Sequence, residues 1–323
     1  MNAHRLALSI AAACLFLPLT AGAETLRLAT WNMEWLMLPG TFDQLAARCT
    51  EQGAKKARGS DRSIPCDLIP ARRWDDASLA RLAEYARSID YDVVALQETD
   101  GPEAAKRVFP THNLCFTRRR NVQNVGFAIR QGIPFRCNAD YRALGLKKDT
   151  VRWGADVTLY PGTPQAIRLL AVHLKSSCNR DPLTTDSDAC RTLSKQVPVL
   201  EQWIDARARE GARFAVLGDF NRRFDRETAP ARDEAGRIVA LWPEIDDADP
   251  PGADLSEPGA DVGPTACRPG ERTRSRIDHI VLGRSLADAY VPGSFRHEQY
   301  PGTAQERWPD HCPVGITLNL AYQ

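Results

Sequence analysis

The sequence predicts a layered α/β fold, and three observations carry that prediction. Apolar runs of strand length recur along the chain, among them residues 26–30, 91–96, 167–174 and 213–217. Amphipathic helical patterns stand between some of them, so strand, helix and strand follow one another. Several runs end in a polar or acidic residue, as strands do where they open onto an active-site mouth.

Taken in order, the chain begins Met1-Asn2-Ala3-His4-Arg5, continues almost wholly apolar from Leu6 to Thr20, and reaches Ala21-Gly22-Ala23. A basic start, a short apolar core and an A-x-A pattern predict a secretory signal over residues 1–23, followed by a single domain over residues 24–323. The apolar run is too short to span a bilayer. Leu15-Phe16-Leu17 continue it past Cys14, which argues against lipid attachment there. The expectation is an exported protein, periplasmic or extracellular, monomeric and without stable membrane association.

Residues 26–32 alternate as a strand does and place Asn32 and Glu34 at its exit. Residues 41–63 are polar and weakly helical. A helix follows over residues 75–89, with Leu79, Leu82, Ala83 and Ala86 on one face and Asp75-Asp76 favouring its start. Residues 91–98 read as a buried strand ending in Glu98. A short helix over 101–109 precedes strands at 113–117, 125–130, 151–160 and 167–174, the last leading through His173. The longest helical pattern, 188–210, carries the stripe Leu193, Val197, Leu200, Trp203 and Ile204. Pro198 within it predicts a kink or a delayed start, and Gly211 fits the cap. Residues 213–217 then deliver Gly218-Asp219-Phe220-Asn221. Residues 224–263 carry no regular pattern, 276–282 resume strand character, and Trp308-Pro309-Asp310-His311-Cys312-Pro313 opens a final strand over 314–320.

Cys14 aside, the cysteines are Cys49, Cys66, Cys115, Cys137, Cys178, Cys190, Cys267 and Cys312. An even number in an exported chain argues for disulfides. Proximity suggests Cys49–Cys66, Cys115–Cys137 and Cys178–Cys190, which leaves Cys267–Cys312; none has the C-x-x-C spacing of a zinc site.

Net charge is +1, which excludes a strong overall field for nucleic acid. Charge is segregated nonetheless. Basic clusters stand at Arg118-Arg119-Arg120, Lys147-Lys148, Arg222-Arg223 and Arg272, Arg274 and Arg276, and acidic residues gather in a Pro/Gly-rich stretch from Asp246 to Asp261.

Alone, each polar strand end reads as well as a turn as it does a site, because Asp, Asn and Gly favour turns for backbone reasons. Together Asn32, Glu34, Glu98, His173, Asp219, Asn221, Asp278, Asp310 and His311 suggest one chemistry. Carboxylate and amide oxygens suit a hard cation such as Mg²⁺, with Mn²⁺ or Ca²⁺ as alternatives. Two histidines beside carboxylates suit phosphate stabilisation and proton transfer.

Six segments resemble the endonuclease/exonuclease/phosphatase superfamily, which includes DNase I-like nucleases, neutral sphingomyelinases and inositol polyphosphate 5-phosphatases. They are Thr30-Trp31-Asn32-Met33-Glu34, Leu96-Gln97-Glu98, His173-Leu174-Lys175-Ser176, Leu217-Gly218-Asp219-Phe220-Asn221, Arg276-Ile277-Asp278-His279-Ile280 and Asp310-His311-Cys312-Pro313-Val314. The resemblance implies a four-layer α/β sandwich, two packed mixed β-sheets flanked by helices. It implies Glu98 as principal metal ligand, Asn32 and Glu34 assisting and Asp310 completing the set. Asp219 would orient or deprotonate the attacking water and Asn221 would hold the scissile phosphate. His311, oriented by Asp278, would contact the phosphate. His173 resembles the second histidine of the DNase I and sphingomyelinase branches, and Arg152 a phosphate-contacting arginine of the DNase branch. His279, Met33, Trp35 and Trp153 are read as packing residues.

The reading that follows is an exported divalent-metal-dependent phosphodiesterase, a DNA endonuclease with nucleic acid as substrate. A sphingomyelinase or an inositol-phosphate phosphatase is the alternative, since core chemistry is shared and fold does not fix function. A non-catalytic phosphate- or DNA-binding protein is the reading outside the enzymes.

Overall fold

A computed structural model describes residues 25–50, 56–58, 63–66, 74–147 and 151–320. The expected export signal lies outside the described residues. Among them no helix is long and apolar enough to cross a membrane.

The first half of the chain runs β1 (Thr25–Leu36), α1 (Pro39–Ala47), β2 (Lys56–Arg58), β3 (Ser63–Pro65), α2 (Asp76–Ile89), β4 (Val93–Thr99), α3 (Pro102–Val108), β5 (His112–Phe116), β6 (Asn124–Arg130) and β7 (Phe135–Cys137). The second half runs β8 (Ala155–Leu159), β9 (Ile167–His173), α4 (Asp188–Arg209), β10 (Arg213–Asp219), α5 (Trp242–Ile245), β11 (Leu255–Ser256), β12 (Asp278–Gly283), α6 (Arg284–Ala287), β13 (Arg296–His297) and β14 (Val314–Asn319).

The long strands build two six-stranded mixed sheets, ordered β13-β14-β1-β4-β6-β5 and β11-β12-β10-β9-β8-β7. Each has one parallel pair at its centre, β1 with β4 and β9 with β10, and antiparallel neighbours outside it. Side-chain period two explains how the sheets pack. Leu26 and Leu28 of β1, Val93 and Ala95 of β4, Leu169 and Ala171 of β9, and Ala215 and Leu217 of β10 meet in one core between the sheets. The alternate residues face outward. Trp31, Val94 and Leu96 pack under Leu79 and Leu82 of α2 and Ala104 and Ala105 of α3, while Leu170, Val172 and Val216 pack under Leu193, Val197 and Leu200 of α4. The expected four-layer sandwich is the architecture observed.

Local chemistry sets the helix ends. Asp75 caps α2 in a capping box with Ser78, whose backbone N–H it accepts at 2.7 Å. Ser187 caps α4 by accepting from Cys190 N at 3.1 Å, so the delayed start that Pro198 could have imposed does not occur. The buried stripe carries α4 through the proline, at the loss of one backbone donor. The strand expected over 151–160 is shorter, because Gly154 pairs with Tyr141 outside the sheets and Arg152 reaches the carbonyls of His173 and Leu174 at the exit of β9. The loop-rich stretch 224–263 carries a 3₁₀ turn at Phe224–Arg226, then α5 and β11. The disulfides are Cys49–Cys66, Cys115–Cys137, Cys178–Cys190 and Cys267–Cys312, the pairing suggested by proximity.

Candidate active site

The topology sends the polar strand ends to one edge. The parallel strands β1, β4, β9 and β10 all finish there, and the antiparallel β12 and β14 begin there. Parity then aims the side chains. His173, Asp219 and Asp278 continue the inward-facing series of β9, β10 and β12 by one step, and they lie side by side, Asp219 opposite both His173 and Asp278. Asn32 continues the inward series of β1 opposite Gln97. The apolar filling between the sheets thus gives way at its upper end to buried polar groups. Asn32, Glu34, His173, Asp219, Asn221 and Asp278 are all buried.

Asp219 is the hub. Its Oδ1 accepts from the Asn221 backbone N–H at 2.8 Å and its Oδ2 from Asn32 Nδ2 at 3.1 Å. His173 Nε2 stands 3.6 Å from Asp219 Oδ2 and 3.8 Å from Glu98 Oε1, placing the imidazole between the two carboxylates. Burial, and then the Asp278 charge, push the Asp219 carboxyl up to about 7. Burial and the nearby charges of Arg152, His311 and Lys175 hold His173 well below its ordinary range, so it is neutral.

Across from Asp219, His311 Nδ1 bonds Asp278 Oδ2 at 2.6 Å, leaving Nε2 for the cleft. Burial disfavours the His311 cation, but the charge and hydrogen bond of Asp278, helped by Asp219 and Asp310, outweigh it. The ring therefore stays protonated well above the usual histidine range. The Tyr300 hydroxyl donates to the His311 carbonyl and receives the Trp31 indole N–H at 2.7 Å, tying this loop to β1.

Glu98 Oε2 accepts from Trp35 N at 3.2 Å. Burial and the charge of Asp310 raise the Glu98 carboxyl, while His311, Arg152 and an Asn32 hydrogen bond oppose the rise. Asn32 Oδ1 accepts from Glu34 N at 3.0 Å. Glu34, Glu98 and Asn221 all have left-handed backbone, with φ of 46, 53 and 53°, a conformation that costs a non-glycine residue energy and gathers at functional sites.

Two expected residues have further partners. Glu34 Oε2 is held at 2.6 Å by Arg307, whose guanidinium lies 4.1 Å over the Trp74 ring, while Trp74 Nε1 donates to the Glu34 carbonyl. Arg152 donates from Nε to the His173 carbonyl at 3.2 Å and from Nη2 to the Leu174 carbonyl, bracing the exit of β9. Burial lowers its pKa to about 10, so it remains a cation beside Glu98 and Asp219. Arg307, Trp74 and Tyr300 carried no sequence signal beyond the closeness of Arg307 to Asp310. Arg222 and Arg276, counted among the basic clusters, are buried: Arg222 pairs with Glu227 and Arg276 with Glu257. His279, read as packing, is buried against Glu257 and stacked on Phe224.

No curated protein matches this chain. Solved structures do. TDP2 of D. rerio, complexed with a single strand DNA product, has 18% identity and a TM-score of 0.54, covering 91% of this chain and 99% of that one. The human Nocturnin catalytic domain with bound sulfate anion has 14% identity and a TM-score of 0.53, covering 91% and 92%. The 3'-5' exonuclease NExo of Neisseria meningitidis has 16% identity and a TM-score of 0.52, covering 91% and 100%. At these identities the likeness is one of fold. Sequence decides the rest: over residues 29–299 the chain matches the Endonuclease/Exonuclease/phosphatase family, and it belongs to that family.

Proposed function

We propose that this protein is an exported, divalent-metal-dependent phosphodiesterase that cleaves DNA internally. The observation that carries the reading is the meeting of Asp219, His173, Glu98 and the Asp278–His311 pair in one buried cleft. Export is supported by four disulfides, which persist in oxidising compartments.

The donor set fits a hard cation. Glu98, Asp310, Glu34 and Asn32 offer oxygen, and the cysteines of the described residues are in disulfides, so no thiolate competes. The Glu98 carboxyl, raised by desolvation, is raised further by the like charge of Asp310, a repulsion a bound cation relieves. These residues would hold Mg²⁺, with Mn²⁺ or Ca²⁺ as substitutes, and the ion would supply charge neutralisation at a phosphate oxygen.

The protein's own groups account for the remainder. A carboxyl pushed up to about 7 is suited to accept a proton near neutrality, so Asp219 aligns and deprotonates the attacking water. The amide N–H of Asn32 and the backbone N–H of Asn221 fix its orientation. Asn221 Nδ2 donates one hydrogen to the Leu174 carbonyl at 3.1 Å, leaving its second for a phosphate oxygen. The imidazolium of His311 stabilises negative charge growing on the phosphate, and Asp278 keeps it charged. Neutral His173 contributes a ring N–H or lone pair between Glu98 and Asp219.

The test is hydrolysis of circular plasmid, linear duplex, single-stranded DNA, RNA, sphingomyelin and inositol phosphates with Mg²⁺ or with EDTA, Asp219→Asn serving as the inactive control. Nicking of the plasmid that needs the metal and is lost in Asp219→Asn is expected. Cleavage confined to lipid headgroups or inositol phosphates overturns the nuclease reading, and equal activity of Asp219→Asn overturns the assignment of the base.

A further inference from the structure

One of the candidate cation ligands is already engaged by a cation of the protein itself. Glu34 is buried, and its Oε2 lies 2.6 Å from Arg307 Nη1. The contact joins two segments that each supply donors. The backbone N–H of Glu34 bonds Asn32 Oδ1 at 3.0 Å, and the next one, of Trp35, bonds Glu98 Oε2 at 3.2 Å. Arg307 stands in the segment that leads to Asp310. More than the carboxylate holds the guanidinium in place. It lies 4.1 Å over the Trp74 ring, and its Nη1 also donates to the Trp308 carbonyl at 3.3 Å. Trp74 in turn donates its indole N–H to the Glu34 carbonyl at 3.0 Å. Arg307 thus differs from the buried Arg222 and Arg276, whose partners Glu227 and Glu257 stand outside the donor set.

We propose that Arg307 is a positioning residue that sets the divalent-cation affinity of the site by competing with the cation for the charge of Glu34. The inference rests on the cation site of the proposed function and adds to it a residue outside the ligand set. Two effects act in the same direction. A guanidinium bonded to the carboxylate neutralises the charge that Glu34 offers to an ion. A fixed positive charge beside the site also repels a doubly charged one, and does so more strongly where water is excluded. Without Arg307, Glu34 would be a buried carboxylate with its ion-pair partner removed, which is strongly destabilising. The pair therefore keeps the cleft charge-balanced in the absence of the ion and lowers its affinity for the ion.

Binding of Mn²⁺ alone, read from the loss of the free-ion electron paramagnetic resonance signal, tests this without substrate or turnover. Arg307→Gln is expected to bind Mn²⁺ about tenfold more tightly than the wild type, and Glu34→Gln about tenfold more weakly. Glu34→Gln/Arg307→Gln removes both charges and is expected to bind within about threefold of the wild type, as is Arg307→Lys, which keeps the charge. Thermal unfolding gives a second reading. Arg307→Gln is expected to melt below the wild type in EDTA and to gain more from Mn²⁺ than the wild type does. Weaker or unchanged Mn²⁺ binding by Arg307→Gln overturns the competition, since an arginine that only orients Glu34 for the ion would weaken binding when removed. If Arg307→Gln does not fold without the ion, the other variants decide: a double variant that binds no more tightly than Glu34→Gln overturns the proposal. Glu98→Gln separates the two readings. Mn²⁺ binding lost in Glu98→Gln but unchanged in Arg307→Gln overturns the role of Arg307 and leaves the cation site standing. Equal Mn²⁺ binding by every variant, Glu98→Gln included, overturns the cation site itself and the proposal with it.

Discussion

Asp278 acts through the residue it holds. Its Oδ2 accepts a hydrogen bond from His311 Nδ1 at 2.6 Å, and its charge keeps that ring cationic against the cost of desolvation. Replacing it by asparagine preserves the shape and removes the charge, so on the proposed reading the stabilisation of phosphate charge by His311 is lost while Asp219 still aligns water. Asp278→Asn is therefore expected to lower kcat by about 10²–10³, the range for losing one preorganised donor to a developing anion. Steady-state rates at saturating metal check it, and a loss below tenfold would detach His311 from the charge. A second histidine governs stability. Burial lowers the pKa of His297 from its ordinary 6.5 to about 4. The folded state thus keeps it neutral while the unfolded chain protonates it first, so its contribution is full above pH 6.5 and is lost as pH falls toward 4. The difference corresponds to about 3 kcal/mol. Denaturant unfolding at pH 7 and pH 4 is expected to show that much less acid loss in His297→Gln than in the wild type.

At the scale of the element, β9 and β10 place two residues of the candidate site through one close approach. A Cβ on Gly218 would lie inside van der Waals contact of the Val172 carbonyl, one step before the paired Asp219 and His173. Gly218→Ala must part these strands, and the expected cost is about 1–3 kcal/mol of stability, as for overpacking elsewhere. It should also lose kcat out of proportion to that cost, because Asp219 and His173 separate. Unfolding curves and rates measured together test the pair of effects. The same strands show what the sequence could tell. Period-two alternation reveals that Leu169, Ala171 and His173, or Leu217 and Asp219, share a face, and that a polar residue ends the series. The start of α2 was likewise legible in the charge of Asp75-Asp76, though its capping box with Ser78 was not. Periodicity is blind, however, to partners brought together by folding. Arg222 sits in a basic pair in sequence, yet Glu227 and the carbonyls of Cys178 and Asp181 bury it. Arg307 reaches Glu34 across most of the chain, and no local pattern announces it. Arg152 leaves the strand expected for it because long-range carbonyls compete for its guanidinium.

For the molecule as a whole, the site is assembled from both sheets, so its precision depends on what fixes distant segments to one another. The Cys267–Cys312 bridge does this most directly. It spans 45 residues, against 12 for Cys178–Cys190, and Cys312 follows His311 in the chain. Cys312 N also donates to Cys267 Sγ at 2.9 Å, in the buried layer that holds Trp31, Tyr300 and Trp308. Closing a longer loop removes more freedom from the unfolded chain. The chain-entropy account gives about 4 kcal/mol for the 45-residue separation and roughly 1 kcal/mol less for the shorter one. Cys267→Ser/Cys312→Ser is accordingly expected to lose more stability than Cys178→Ser/Cys190→Ser in denaturant unfolding. It is also expected to lose activity under conditions where it is still folded, because the loop bearing Asp310 and His311 is no longer fastened to the segment preceding β12. Equal stability losses in the two pairs would mean that strain or residual structure in the unfolded chain outweighs loop length. Full activity in the folded Cys267→Ser/Cys312→Ser protein would mean that the Tyr300 and Asp278 hydrogen bonds alone hold His311 in place.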